Sequence, residues 1–358
     1  MKDPIHVSSP PEARQPNKFA NIFNSSIVIP VFIAIFVFIL FVFILSKTPL
    51  YTMYFFFIGP FLNFYSLGNM INAAIPLILG ALGVSVAMRA GSLNLGGEGQ
   101  IYLGAFAATI TALPLSHLGY FGSCIALLTG AFSAGLIAAF SGFLKARWNT
   151  NELITSFLLS NSVIMIVNYL VTNPFLDPQA NLQSTRKIAE NLRLPRILPP
   201  SNLSTALFFA LALVVIVHIF LKKTKFGYEL RMLGINEIFA RYGGINTKMN
   251  TVLAMFVSGA FFGFAGGLMV FGSHYATIKE FSLGIGWNSL AAALIAGFYP
   301  AATVPAGFFF AWISSGSRIA MQNSDITYEV SYIIQSVIFF LSTSAILRNL
   351  FGKKRNLL

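Results

Sequence analysis

Residues 28–45 read Val-Ile-Pro-Val-Phe-Ile-Ala-Ile-Phe-Val-Phe-Ile-Leu-Phe-Val-Phe-Ile-Leu, without one charged or hydrogen-bonding side chain. A helix that is apolar on every face needs an apolar medium on every face. The run has the length required to cross about 30 Å of hydrocarbon, which takes roughly 17–25 residues. A strand of a membrane barrel would be shorter and would alternate polar with apolar. The stretch therefore reads as a membrane-spanning helix.

Similar runs recur along the chain. Together with 27–45, they predict an all-α, polytopic membrane protein of about ten spans: 67–88, 100–115, 120–144, 152–172, 203–221, 249–272, 283–299, 302–320 and 330–348. Composition agrees: of 358 residues, 56% are hydrophobic and 9% charged, with mean hydropathy +0.74. A soluble domain is nearer a quarter charged. Residues 51–65 are aromatic and apolar but are interrupted by Gly59-Pro60, so an interfacial or re-entrant segment is expected there. Residues 1–26 are polar and carry Pro4, Pro10, Pro11 and Pro16, the composition of a disordered tail. The run that follows is too long for a signal-peptide core and lacks a small-residue cleavage site, so it reads as a retained span. Residues 27–348 form the membrane domain, and 349–358 form a basic tail.

The net charge of +12 would suggest nucleic acid on a soluble protein. On a membrane protein, basic residues orient the loops, and no nucleic-acid partner is expected. With the N-terminus inside, 16 of the 23 Lys and Arg fall on the inner side, so both termini are expected in the cytoplasm. Residues 173–202 then form the longest outer loop. Residues 222–248 form the longest inner loop, with Lys222, Lys223, Lys225, Arg231, Arg241 and Lys248. Cys124 lies in an apolar run, where burial would keep a lone thiol inert.

The most informative junction is Arg89-Ala-Gly-Ser-Leu-Asn-Leu-Gly-Gly-Glu-Gly-Gln100. Its glycines permit turns that a helix forbids. Broken helices are tolerated at membrane depth where they are buried in protein or line a cavity. Asn94, Glu98 and Gln100 are candidate cavity-lining groups. The plainer reading is a cytoplasmic hairpin in which Glu98 caps a helix. Ser282-Leu-Gly-Ile-Gly-Trp-Asn288 matches Ser92-Leu-Asn-Leu-Gly-Gly-Glu98 in its Ser-Leu-x-aliphatic-Gly pattern, at the same ordinal place in a second set of five spans. Five is odd, so two such halves would be inverted, and paired Gly-interrupted segments point to the solute path. Trp287 and Asn288 join the candidates, with Trp287 as a stacking face.

No G-x-x-x-x-G-K-[ST] phosphate loop is present. His6, His117, His218 and His274 have no metal-ligand spacing, so no metal, cofactor or catalytic group is expected. Acidic residues inside spans, which ion coupling needs, are scarce. The chain reads as a transport subunit with an external motor. Residues 227–245 read as a short amphipathic helix, with Leu230, Leu233, Ile238 and Tyr242 on one face and Arg231, Glu237 and Arg241 on the other. Such a helix suits a soluble partner's groove, or it lies at the membrane interface.

These motifs, in this order, resemble the membrane permeases of ABC importers in the branched-chain amino acid, ribose and nucleoside superfamily, and most closely the purine-nucleoside branch. The junction 88–100 is similar to that branch's F-R-A-G-x-x-N-I-G-x-E-G-Q, and Asn151-Glu-Leu-Ile154 to its N-E-V-I. Thr224–Arg231, Gly234, Asn236, Tyr242–Ile245 and Gly284–Trp287 follow at similar spacing, so the likeness covers roughly 67–345. Three places depart from the pattern: Ile238-Phe239-Ala240, Leu159-Ser160-Asn161 and Gly297–Ala302. The resemblance implies the large-permease (type II-like) importer fold, a second permease that is identical or related, cytoplasmic ABC ATPases and an extracytoplasmic solute-binding protein. It implies that 227–245 couples to the ATPase through Arg231, Gly234, Asn236, Glu237 and Gly244. It also implies import of nucleosides by alternating access across a cell (inner) membrane. A simple-sugar or ribose permease of the same superfamily and an ion-coupled secondary transporter are the alternatives.

Overall fold

The computed structural model describes residues 25–282, 284–327, 329, 332–337 and 340. Most of the expected N-terminal tail, the basic tail 349–358 and most of the tenth span lie outside the described residues.

The described chain is helical, with no strand. Its helices are α1 (Ser25–Leu45), α2 (Pro49–Phe57), α3 (Phe64–Arg89), α4 (Gly97–Ala112), α5 (Gly119–Trp148), α6 (Glu152–Thr172), α7 (Ala206–Lys223), α8 (Lys225–Ile235), α9 (Glu237–Tyr242), α10 (Thr247–Met269), α11 (Ile285–Ile295) and α12 (Thr303–Asn323). Asn63, Asn151, Thr224, Asn236 and Asn246 cap α3, α6, α8, α9 and α10, each accepting a backbone N–H of the first turn. Among the described residues, five helices, α3, α5, α6, α7 and α10, are long and apolar enough to cross a membrane.

One predicted span comes out differently. The run 283–299 contains only the 11-residue α11, because Gly297 and Phe298 turn the chain with positive φ before Pro300. At about 1.5 Å per residue, α11 is roughly 17 Å long and does not cross a bilayer. α4 has the 16 residues expected of 100–115 but starts three residues earlier, at Gly97. Residues 51–65 break at Gly59–Phe61, a single tight turn between α2 and α3.

α3 and α10 form the centre, with α4 and α5 against α10, and α11 and α12 against α3. Small residues allow the close approach. A Cβ on Gly83 of α3 would lie 2.7 Å from the Ser258 carbonyl of α10, and Gly104 of α4 meets Gly263 of α10 backbone to backbone. The outward faces are apolar, with Phe36 and Ile44 on α1, Phe121 and Leu128 on α5, Met165 and Tyr169 on α6, and Phe208 and Ile216 on α7. Apolar surface on that scale calls for lipid. Cys124 sits on this outward face of α5, so the expected burial of its thiol in the protein does not hold.

Residues 173–202 are more than a solvated connection. Backbone bonds tie Thr185 to Thr277, Ile188 to Tyr275 and Leu194 to Phe271. Ile188 and Leu192 are fully buried, and the Arg193 guanidinium lies 4.5 Å from the Tyr275 ring centre.

Candidate solute path

The two short helices meet end to end. The first turn of α4 touches the first turn of α11 so closely that a Cβ on Gly286 would lie against the Glu98 amide and 2.9 Å from the Gly97 carbonyl carbon. Glu98 accepts the Gly286 N–H at 2.8 Å. Helix N-termini carry partial positive charge, and here one carboxylate serves two of them. Both entering segments turn through a left-handed glycine, Gly91 before α4 and Gly284 before α11.

Asn94 and Gln100, expected to line the path, are each 1% exposed and hydrogen-bond each other. Asn94 also donates to Ser258 and accepts from the Gly96 N–H. These two carboxamides brace the junction from within. Two serines of α6 hold it from outside: Ser156 accepts the Leu95 N–H at 3.1 Å, and Ser160 the Gly99 N–H at 2.8 Å. Ser160 belongs to the Leu159-Ser-Asn161 departure noted in the sequence, and it has a structural task here. Glu98 and Trp287 border a small crevice with Leu95 and Leu290, and the Trp287 ring lies 6.1 Å from that of Phe157.

The large cavity lies elsewhere, among α3, the C-terminal end of α10, α11 and the second half of α12. Its volume is about 380 Å³, within the range of small-molecule sites. Of the sequence candidates only Asn288 reaches it. Asn69, Asn72, Asn202 and Gln322 supply four more carboxamides, and Ser66, Ser273, Ser314 and Ser315 supply hydroxyls. Arg318 and His274 also line it, with the rings of Tyr65, Phe281 and Tyr332. Among the described residues, no carboxylate lines it. Asn72 donates to Ser273 at 2.9 Å, and Asn69 accepts the Asn202 N–H at 3.0 Å. Pro76 lies on this wall and interrupts the α3 backbone ladder there.

At the opposite end of α3, the 227–245 segment is two helices, broken at Asn236 where that residue caps α9. The single amphipathic face is thereby corrected. Leu230 and Leu233 are buried, whereas Ile238 and Tyr242 are exposed, 68% and 90%, beside Ile235 and Phe239. Glu237 and Gly244 are exposed, and Arg231 is half-buried. Gly234 packs on the Arg89 carbonyl, where a Cβ would collide. Arg89 in turn donates to the Phe298 carbonyl at 3.2 Å and lies over the Tyr299 ring. Lys145 pairs with Glu152 at 2.7 Å and donates to Ser92 and to the Gly91 carbonyl, which anchors the junction on this side.

A bundle of apolar helices around a polar cavity, with a broken-helix junction beneath it, defines a membrane transport subunit. The sequence profile of the family described as branched-chain amino acid transport system permease components matches residues 66–343, and the chain belongs to that family. It is 34% identical over 300 residues to the probable riboflavin import permease protein RfuC of Treponema pallidum, covering 83% of this chain and 79% of that one. It is 32% identical over 302 residues to the guanosine ABC transporter permease protein NupP of Bacillus subtilis, covering 82% and 86%. It is 30% identical over 298 residues to the glucose ABC transporter permease protein TsgB13 of Haloferax volcanii, covering 78% and 77%. No solved structure matches. The chain is thus an ABC permease of the nucleoside, riboflavin or sugar type, a multi-pass membrane subunit whose family implies an ATPase and a second permease as partners.

Proposed function

We propose that the chain is the permease subunit of an ATP-driven importer for nucleosides. The observation that carries this reading is the cavity: carboxamides, hydroxyls, aromatic rings, Arg318 and His274, with no carboxylate among the described lining residues, suit a hydrogen-bond-rich, partly aromatic solute that presents acceptors. The likeness to a guanosine permease supports it. The path passes Asn288 and descends past Trp287 and Glu98, with Asn94 and Gln100 holding its floor. About ten membrane segments in two inverted halves, α11 among them as a short helix entered through 276–284, fit the end-to-end meeting of α4 and α11, since helices entering from opposite faces would meet at their N-termini. Both termini and residues 222–248 are then cytoplasmic, 173–202 faces the extracytoplasmic solute-binding protein, and lipid of the cell inner membrane covers the apolar girdle.

ATP hydrolysis takes place on a partner subunit. The ATPase docks on α8–α9, where Ile235, Ile238, Phe239 and Tyr242 present an exposed apolar patch. Arg231, Gly234, Asn236, Glu237 and Gly244 shape that element. Uptake of labelled guanosine into vesicles containing the permease, its ATPase and the binding protein tests the reading. Unlabelled nucleosides should compete and ribose should not. Uptake that survives ATP depletion but collapses with an ionophore would overturn it. Asn236→Ala and Glu237→Arg should each lower ATP-coupled uptake. A sugar reading is favoured by the likeness to a glucose permease, and competition by ribose or glucose alone would select it.

A further inference from the structure

Arg318 supplies the one guanidinium among the cavity's described lining residues. Among the described residues, Arg318 makes no ion pair, and no side-chain hydrogen bond is made by Arg318, Asn288 or Gln322, although all three line the wall. Arg318 and Gln322 are one helical turn apart on α12, and Asn288 faces the same space from α11. Asn72 spends its amide N–H on Ser273, and Ser314 accepts from Gln335. The groups left for a solute therefore include a five-donor fork and the uncommitted carboxamides of Asn202, Asn288 and Gln322, in a cavity that the rings of Tyr65 and Phe281 also line.

That set is selective. A guanidinium donates and cannot accept, so it pairs with an edge that presents two acceptors side by side. On a purine that edge is the ring nitrogen N7 with a carbonyl oxygen at C6. A purine with an amino group at C6 presents a donor there instead. Among the described residues the lining has no carboxylate, the partner that a cationic solute would need. We propose that Arg318 is the specificity-determining residue of this cavity, reading the carbonyl edge of a planar oxo-heterocycle so that 6-oxopurine nucleosides are taken over 6-aminopurine nucleosides. The inference rests on the assignment of the cavity as a solute site, and it extends the nucleoside reading by saying which nucleosides.

The test measures equilibrium binding to the permease assembled with its ATPase in lipid nanodiscs, without the binding protein, so that only the cavity selects. Probes are guanosine, inosine, adenosine, riboflavin and glucose. The wild type should hold guanosine and inosine roughly tenfold more tightly than adenosine, the scale of one bidentate base-edge contact. In Arg318→Gln the guanosine-to-adenosine ratio should fall to near one. Arg318→Lys keeps the charge but loses the fork, and its ratio should fall as well. The ratio is the readout, so a general loss of affinity does not imitate the effect, and the Lys variant serves if the Gln variant does not fold. An unchanged ratio in the folded variants overturns the inference. If the wild type binds riboflavin in an Arg318-dependent way and no nucleoside, the nucleoside reading fails while the role of Arg318 stands. Binding of glucose alone overturns both.

Discussion

Glu98 and Gly286 carry the closest contact between the two short helices, and their substitutions separate packing from charge. Gly286→Ala places a methyl against the α4 backbone. The expected cost is about 1–3 kcal/mol, with α4 and α11 pushed apart. Glu98→Ala leaves the Gly286 N–H without its acceptor, at about 1–3 kcal/mol for a buried donor. Glu98→Gln keeps an acceptor oxygen and should melt closer to the wild type. Thermal unfolding of the three variants in detergent checks this order. The junction was legible in the sequence because its glycines and its Ser-Leu-x-aliphatic-Gly echo cluster within a few residues. The cavity was not. Asn69, Asn72, Asn202 and Gln322 each look like a stray polar residue in an apolar or loop segment, and only folding brings them together. The signal that could have found them is spacing: Asn69 and Asn72 are three apart on α3, and Arg318 and Gln322 are four apart on α12, so each pair shares one face of an apolar helix.

The helices themselves were mostly readable. α3, α5, α6, α7 and α10 follow from unbroken apolar runs with polar caps. α11 was overextended because Ala296 to Tyr299 stay apolar, while the left-handed Gly297 and Phe298 that end the helix have no hydropathy signature. The 227–245 stretch was read as one helix because periodicity does not register that Asn236 caps better than it propagates. One contact between elements has a pH dependence. Asp325, after α12, accepts from the Ser46 hydroxyl and the Lys47 N–H, both at 2.6 Å, and clasps the α1–α2 connection. Those hydrogen bonds, that of Ser46 first, hold its carboxyl below its ordinary value. A depressed carboxylate stabilises fully above its ordinary range and loses that contribution as pH falls through the lowered value. Hydrogen exchange at Lys47 should therefore stay protected at pH 5, while Asp325→Ala, which removes both acceptors, should expose this amide already at pH 7.

At the scale of the whole molecule, the proposed docking element α8–α9 and the cavity are joined through α3. Gly234 of α8 rests on the Arg89 carbonyl, Arg89 holds the α11–α12 turn, and the far half of α3 lines the cavity. Arg89→Gln removes the ring contact to Tyr299 and weakens the hold on Phe298, a change of about 1 kcal/mol or roughly fivefold in an equilibrium. ATP hydrolysis should continue while solute moved per ATP falls severalfold, measured as the ratio of uptake to phosphate release in the same vesicles. The close contact of α4 with α11 also has a consequence in time. The ribosome makes Glu98 188 residues before Gly286. At about 5–20 residues per second that is a wait of roughly 10–40 s. During that interval the nascent chain holds a carboxylate whose partner does not yet exist, so the α4 end stays unpaired until α11 emerges. Chains truncated before residue 285 should be cleared by membrane proteases faster than chains truncated after 295, and Glu98→Gln should slow that clearance in a pulse-chase.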